Sequence, residues 1–210
     1  MDFISESLAE CILAKSYSVL CHGRTNGNPS TGELSVISSL VAKAKPARAF
    51  EFGTFNGLTA MNIAMNQKEK SILYTLNLSL GEKPLFSTVD EERKYFPRFD
   101  RKSYFLGTPL EGRIIQISQD SALLDTSKYK EMDFVFVDGA HSYEYCLNDS
   151  QKAFEMISPG GIIVWHDYDK DAWPGVSRYL DELAPKRRLF RLCTIGSPNS
   201  LVAFFERFQS

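Results

Sequence analysis

A chain of 210 residues with 43% hydrophobic and 24% charged side chains has the make-up of one globular α/β unit that buries a sizeable core. Its formal charge of -2 leaves no electrostatic footprint for a nucleic acid, and no apolar run approaches the length of a membrane span. Cys11, Cys21, Cys146 and Cys193 lie far apart with no C-x-x-C pair, which argues against a zinc ribbon and a secreted disulfide framework. Asp2, Glu6 and Glu10 stand where a signal peptide needs basic and then apolar residues, so a cytoplasmic location with reduced thiols is expected. The glycosylation-like triplets Asn77-Leu78-Ser79 and Asn148-Asp149-Ser150 are short enough to be chance matches.

In chain order, Ile4, Leu8, Cys11, Ile12 and Leu20 recur at helical spacing, and a second helix is expected from Gly32 to Ala44 after the start signal Asn28-Pro29-Ser30-Thr31. Residues 1–45 are thus expected to form an amino-terminal helical cap. The glycine-rich loop between these helices contains His22, read as a solvated residue and a weak candidate for substrate contact. From Arg48 the pattern alternates: strand Arg48 to Phe52, helix Leu58 to Met65, strand Ser71 to Leu76, and strands at Arg113 to Ile117, Phe134 to Val137 and Ile162 to Trp165. Helices are expected at Tyr143 to Ile157, stopped by Ser158-Pro159-Gly160-Gly161, and at Pro174 to Leu183. Strands Leu189 to Cys193 and Leu201 to Glu206, parted by Gly196-Ser197-Pro198-Asn199, predict an antiparallel hairpin that closes a mostly parallel sheet. The stretch from Leu78 to Leu110 is too long for a plain connection and is read as a lid or interface insertion, its aromatics packing a helix.

Within Ala49-Phe50-Glu51-Phe52-Gly53-Thr54-Phe55-Asn56-Gly57 a buried strand breaks into a glycine-hinged turn that opens a helix. The spacing is E-x-G-x-x-x-G, not the dinucleotide fingerprint, so a nicotinamide or flavin is not the first expectation. Open α/β sheets bind ligands at the carboxyl ends of their strands. By that rule Glu51 and Gly53, Asn77, Asp120-Ser121, Asp138-Gly139-Ala140-His141 and His166-Asp167 converge.

With Asp138-Gly139-Ala140-His141-Ser142-Tyr143 and Pro159-Gly160-Gly161-Ile162-Ile163-Val164-Trp165-His166-Asp167 present as well, the chain resembles the class I S-adenosylmethionine-dependent methyltransferases. The likeness is to their small-molecule O-methyltransferase-like group, with D-G-x-H-x-Y and P-G-G-x-x-x-x-H-D motifs, and covers about Glu33 to the carboxyl terminus. It implies a Rossmann-like, doubly wound, mostly parallel seven-stranded sheet with a C-terminal antiparallel hairpin strand, and a methyltransferase domain over residues 46–210. It also implies that Glu51, Gly53, Thr54 and Gly57 hold the methionine part of S-adenosylmethionine, that Asp120 and Ser121 form the adenine-side loop, and that Asp138 belongs to both cofactor and catalytic sets. One departure is Asn77, where the family usually has an acid for the ribose hydroxyls; the amide loses charge assistance worth about 1 kcal/mol.

Methyl transfer from a sulfonium needs an in-line nucleophile, and a hydroxyl becomes a good one when its proton is removed or a metal lowers its pKa. His141 is the candidate general base, its other reading being a hydrogen-bonded residue that shapes the loop. In metal-dependent relatives the aspartate of the fourth strand and the pair after the fifth bind a divalent ion, which places Asp138, His166 and Asp167 in that role. An imidazole there moves preference from magnesium toward manganese, iron or zinc, and a metal-free pocket remains the alternative. Trp165, Tyr168, Trp173 and Tyr143 are candidates to stack on a substrate, while Asp169 and Asp171 read as a solvated loop. The expected partner is a small-molecule hydroxyl acceptor, with no nucleic acid and no membrane, and a homo-oligomer is left open. Two rival readings stand beside methyl transfer: a metal-dependent hydrolase or oxygenase using the Asp/His cluster, and a non-enzymatic binding module with a degenerate cofactor site.

Overall fold

The computed structural model describes residues 1–3, 5–96, 103–192 and 201–206. Its strands are β1 (Asp2–Phe3), β2 (Arg48–Phe52), β3 (Ile72–Asn77), β4 (Ile114–Ser118), β5 (Met132–Val137), β6 (Ile157–Trp165), β7 (Leu189–Leu192) and β8 (Leu201–Phe205). The helices are α1 (Glu6–Ile12), α2 (Thr31–Ala44), α3 (Leu58–Asn66), α4 (Tyr143–Met156) and α5 (Pro174–Leu183). The strands form one sheet in the order β1-β7-β8-β6-β5-β2-β3-β4. Strands β2 to β6 run parallel, and β8 lies antiparallel to both β6 and β7. The expected seven strands are all present, and the two-residue β1 adds an eighth along β7.

Alternation along the central strands explains the two layers of core. On β5, Phe134 and Phe136 face one cluster with Ile37, Leu40 and Ile63 of α2 and α3, while Val135 and Val137 face the other with Cys146, Met156 and Leu180 of α4 and α5. A strand covered on both faces must be apolar throughout, as Phe134 to Val137 are. The helices start where local chemistry satisfies their first amides. Ser30 Oγ accepts from Glu33 N at 3.2 Å and Glu33 Oε2 accepts from Ser30 N at 2.8 Å, a reciprocal cap at the start of α2. Ser142 caps α4, and Pro174 occupies the first turn of α5.

Three local expectations are corrected. Strand β6 begins at Ile157 and not at Ile162: Met132 pairs with Ile157, Phe134 with Ile162, and Pro159-Gly160-Gly161 fills the shift as a bulge, with Gly160 N donating to Glu206 Oε2 at 2.7 Å. Leu20 does not continue the first helix. Instead Asn62 and Asn66 of α3 clamp the extended backbone of Leu20 and Ser18, each with a donor and an acceptor at 2.7–2.9 Å, and steer residues 21–28 over the glycine turn. Among the described residues, the aromatics of 78–110 do not pack one helix. A 3-10 turn covers Asp90–Tyr95, and the rings dock separately: Phe86 on Tyr145, Tyr95 on Phe55, and Phe105 in the core beside Gly57. Phe99, Arg98, Arg101, Lys102, Cys193 and the turn Gly196 to Asn199 lie outside the described residues. Cys11, Cys21 and Cys146 are free thiols.

Candidate active site

The sheet order reverses between β2 and β5, where the chain winds outward through β3 and β4 on one side and through β6 on the other. Loops diverge at such a point and leave a crevice. A cavity of about 290 Å³ opens there, lined by Gly53, Asn77, Asp120, Ser121, Asp138, His141, His166 and Asp167. Eight of the residues singled out from the sequence thus share one wall system.

Glu51, Thr54 and Gly57 lie behind that wall. The Glu51 side chain is fully buried, accepts a short hydrogen bond from the Thr75 hydroxyl, and leaves Oε1 without a partner; Thr54 Oγ1 is 2.7 Å from Thr75 Oγ1. Gly57, at φ 79°, is the N-cap of α3 and abuts the Phe105 ring. The turn is fastened from outside by a paired amide bridge, Asn28 Nδ2 to Asn56 Oδ1 and Asn56 Nδ2 to Asn28 Oδ1, both 2.8 Å. That bridge brings Asn26, Gly27 and Asn28 to the rim of the cavity.

Burial pushes the Glu51 carboxyl up to about 8, against the hydrogen bond from Thr75, with the Asp138 charge adding to the rise. A raised carboxyl contributes stability that is whole below its unfolded value of about 4.5 and is lost as pH climbs through about 8. Glu51→Gln keeps an acceptor for Thr75 and removes the titration. Its melting temperature relative to the parent protein is expected to rise from about pH 5 to about pH 8 and to level above that; a difference independent of pH would exclude a raised Glu51 carboxyl.

At the other end of the cavity four acids surround two imidazoles. Glu92 Oε2 accepts from the backbone N–H of His141 and meets its Nδ1, both at 2.7 Å, while His141 Nε2 is 2.8 Å from Asp167 Oδ2. Trp173 stacks on the His141 ring at 3.9 Å and 20°. His166 Nδ1 stands 3.1 Å from Asp138 Oδ1 and 3.0 Å from Asp167 Oδ2. Its Nε2 is 3.3 Å from Glu33 Oε2 but out of line for a hydrogen bond, so that contact is electrostatic only. Burial opposes a charged His141, but bonds to Asp167 and Glu92 outweigh it and push the imidazole up to about 9. Burial likewise opposes charge on His166, and the Asp167 and Asp138 carboxylates hold it well above its ordinary value. Burial raises Asp138, whereas for Asp167 the two imidazoles overcome burial and depress the carboxyl strongly. Asp167 also sits at φ 61°, a left-handed conformation that a short polar side chain tolerates and that recurs where function fixes the backbone.

Among the described residues, Asp138, His141 and Asp167 are the group whose donor atoms, all within 4.8 Å of one another, can share a cation. His141 is the imidazole of that group, while His166, the one expected from the sequence, contacts the same two carboxylates through Nδ1 at 3.1 and 3.0 Å. Two carboxylates and an imidazole suit manganese, iron or zinc better than magnesium.

The other candidates separate. Trp173 lines the cavity, but Trp165 is core, its indole N–H donating to Ser150 Oγ at 2.8 Å. Tyr143 and Tyr168 donate to Glu182 and Asp181 on α5, Asp169 caps the turn through Asp171 N and Ala172 N, and His22 is exposed away from the cavity. Glu33, Glu92 and Asp149 were not singled out from the sequence. Only Glu33 carried a local signal, the S-x-x-E cap.

Known proteins share this fold. An uncharacterized protein of Acanthamoeba polyphaga mimivirus is 28% identical over 162 residues, covering 71% of this chain and 67% of that protein. An O-methyltransferase from Bacillus cereus, solved in complex with SAH, superposes with a TM-score of 0.62 at 16% identity, over 86% of this chain and 84% of that one. The O-methyltransferase TomG from Streptomyces achromogenes, involved in tomaymycin synthesis and solved with SAM, gives 0.60 at 17% identity, over 85% and 81%. Among the described residues no helix is long and apolar enough to cross a membrane. Residues 50–168, from the glycine-turn strand to just past His166-Asp167, match the model of a methyltransferase domain, and the chain belongs to that family.

Proposed function

We propose that the protein is an S-adenosylmethionine-dependent methyltransferase that alkylates a hydroxyl of a small molecule. The observation that carries this reading is a single cavity joining the glycine turn at Gly53 to the acid and imidazole cluster around His141. The bound cofactor would supply an electrophilic methyl on a sulfonium. Toward it, the Gly53 turn offers backbone free of any side chain, Asn77 offers an amide that both donates and accepts to ribose hydroxyls, and Ser121 lies at the adenine side. Asp138 places a carboxylate at the cavity wall, which favours a cationic sulfur and an ammonium group, while Glu51, its carboxyl pushed up to about 8, stands behind the wall uncharged at neutral pH.

On the acceptor side, His141 is the base. Glu92 fixes one proton on Nδ1, and Nε2–H donates to Asp167; loss of that second proton leaves the Nε2 lone pair as the base. Trp173, Phe55 and Tyr95 wall the same space and exclude water from the nucleophile. The donor set of Asp138, His141 and Asp167 also fits a divalent ion; with Nε2 given to such an ion, the metal in place of the imidazole would lower the pKa of the acceptor hydroxyl. Residues 1–45 and 78–110 then serve as the cap and the insertion that close over the acceptor.

Calorimetry is expected to give one site for S-adenosylhomocysteine with micromolar-order affinity, about 8 kcal/mol. Dialysis against manganese followed by metal analysis is expected to give stoichiometric retention that His141→Gln abolishes. A folded sample that binds no S-adenosylhomocysteine rejects the methyl-transfer reading, and metal held without cofactor affinity supports hydrolytic or oxygen chemistry instead.

A further inference from the structure

Asp120, at the end of β4, and the imidazole cluster, at the ends of β5 and β6, lie on opposite sides of the switch point. Two buried carboxylates line the β4 side of the cavity, Asp120 and Asp149, each 1% exposed. They are not equivalent. Asp120 Oδ1 accepts from Ala122 N at 2.8 Å, and its Oδ2 accepts from Leu85 N at 2.8 Å and from the Tyr145 hydroxyl at 2.6 Å. That side chain is committed to holding the start of the 78–110 segment against α4.

Asp149, on the second turn of α4, receives Asn148 Nδ2 on Oδ1 at 2.8 Å and has the Ser121 hydroxyl as its remaining hydrogen-bonding neighbour. The nearby Lys152 ammonium is turned away, donating to the carbonyls of Ala122 and Leu124 at 3.0 and 2.8 Å. Asp149 Oδ2 stands 2.8 Å from where a Cβ on residue 139 would fall, so glycine there leaves the carboxylate room. Burial, only partly opposed by Ser121 and Asn148, pushes this carboxyl up to about 7. A buried carboxylate with fewer donors than it can accept is costly unless a ligand supplies one. Leu78 and Ala140, which line the same cavity, offer apolar surface of the kind that packs a flat ring.

We infer that Asp149, not Asp120, reads the adenine of the cofactor by accepting a hydrogen bond from its 6-amino group. This rests on the proposed use of S-adenosylmethionine and assigns the nucleobase specificity of that site. Above about pH 7, where the Asp149 carboxyl is ionised, a 6-oxo purine would point an acceptor at it and be rejected.

The test is calorimetry of S-adenosylhomocysteine against S-inosylhomocysteine, its 6-oxo analogue, at about pH 8, where the Asp149 carboxyl is ionised. The parent protein is expected to prefer the amino form by about 10- to 100-fold, the scale of a charge-assisted hydrogen bond. Asp149→Asn should reduce that preference to within about threefold, since an amide also donates to a 6-oxo group, whereas Asp120→Asn should keep it. A preference retained in Asp149→Asn, or lost in Asp120→Asn, overturns the inference. A crystal structure of the parent protein with S-adenosylhomocysteine decides the matter even if neither variant folds: the 6-amino nitrogen must lie within about 3.2 Å of an Asp149 oxygen, and an amino group turned to Asp120 or to solvent refutes it. Failure of the parent protein to bind either nucleoside would instead remove the methyl-transfer reading, and the inference with it.

Discussion

Gly53→Ala is expected to abolish S-adenosylhomocysteine binding and to destabilise the fold, since among the described glycines compared an added methyl meets its nearest neighbour most closely here. Gly53 has φ 96°, and a Cβ there would stand 1.9 Å from the Asp138 carbonyl oxygen. That oxygen cannot swing aside, because Asp138 N donates to Phe52 O at 3.0 Å and β2 pairs with β5 up to Phe52 and Val137. Relief requires the two strand ends to part at the switch point where the cavity opens. A strained left-handed backbone and a backbone collision together should cost about 2–4 kcal/mol, read from urea unfolding, with a loss of affinity above about 100-fold. Gly107→Ala separates the two causes. Gly107 shares a positive φ, 75°, but nothing lies within 4 Å of its added Cβ. It should cost about 1 kcal/mol and leave binding intact. Retained affinity in Gly53→Ala with normal stability would show that the turn does not shape the cofactor end.

What the sequence disclosed follows from the range of the interactions involved. Strand β2 and helix α5 were legible to the residue because an apolar run between breakers and a proline in a first turn act locally. The cluster at Asp138, His141, His166 and Asp167 was legible as a set, since strand ends in a doubly wound sheet must meet at its carboxyl edge. Which imidazole would join the two aspartates was not: it depends on Trp173 and Glu92 gripping His141 from segments 32 and 49 residues away, contacts with no periodicity. Glu92 belongs to the run Asp90-Glu91-Glu92, which as sequence only offsets neighbouring bases, yet a single turn buries the third acid and exposes the first. Trp165 and Trp173 look equally able to stack on a substrate, and only strand alternation, which turns Trp165 inward with Ile163 and Val137, parts them. Asp149 lay hidden in a glycosylation-like triplet, because burial is a property of the whole sheet and not of the neighbours in sequence.

His141→Gln is expected to lower turnover by about 10²- to 10⁴-fold while leaving S-adenosylhomocysteine affinity within about threefold, the signature of a group that acts on the nucleophile and not on the cofactor. Glu92→Gln should cost about 10- to 100-fold in turnover, as expected for a partner that orients a ring it does not replace. The pH dependence separates proton abstraction from metal assistance. Burial favours the neutral imidazole, but the bonds to Asp167 and Glu92 win and hold its proton up to about 9. Without metal, the fraction of base grows as pH rises, so turnover should climb about tenfold per unit below 9 and level above it. A cation on Nε2 displaces the proton, and added manganese should move that rising limb to lower pH. In Glu92→Gln the limb should also move down, since one of the two acids that hold the proton is gone. Formation of S-adenosylhomocysteine across a panel of hydroxyl acceptors, followed from pH 6 to pH 10, measures all three. Unaltered turnover in His141→Gln would remove His141 from the reaction and leave Asp138 and Asp167 as the groups to explain it.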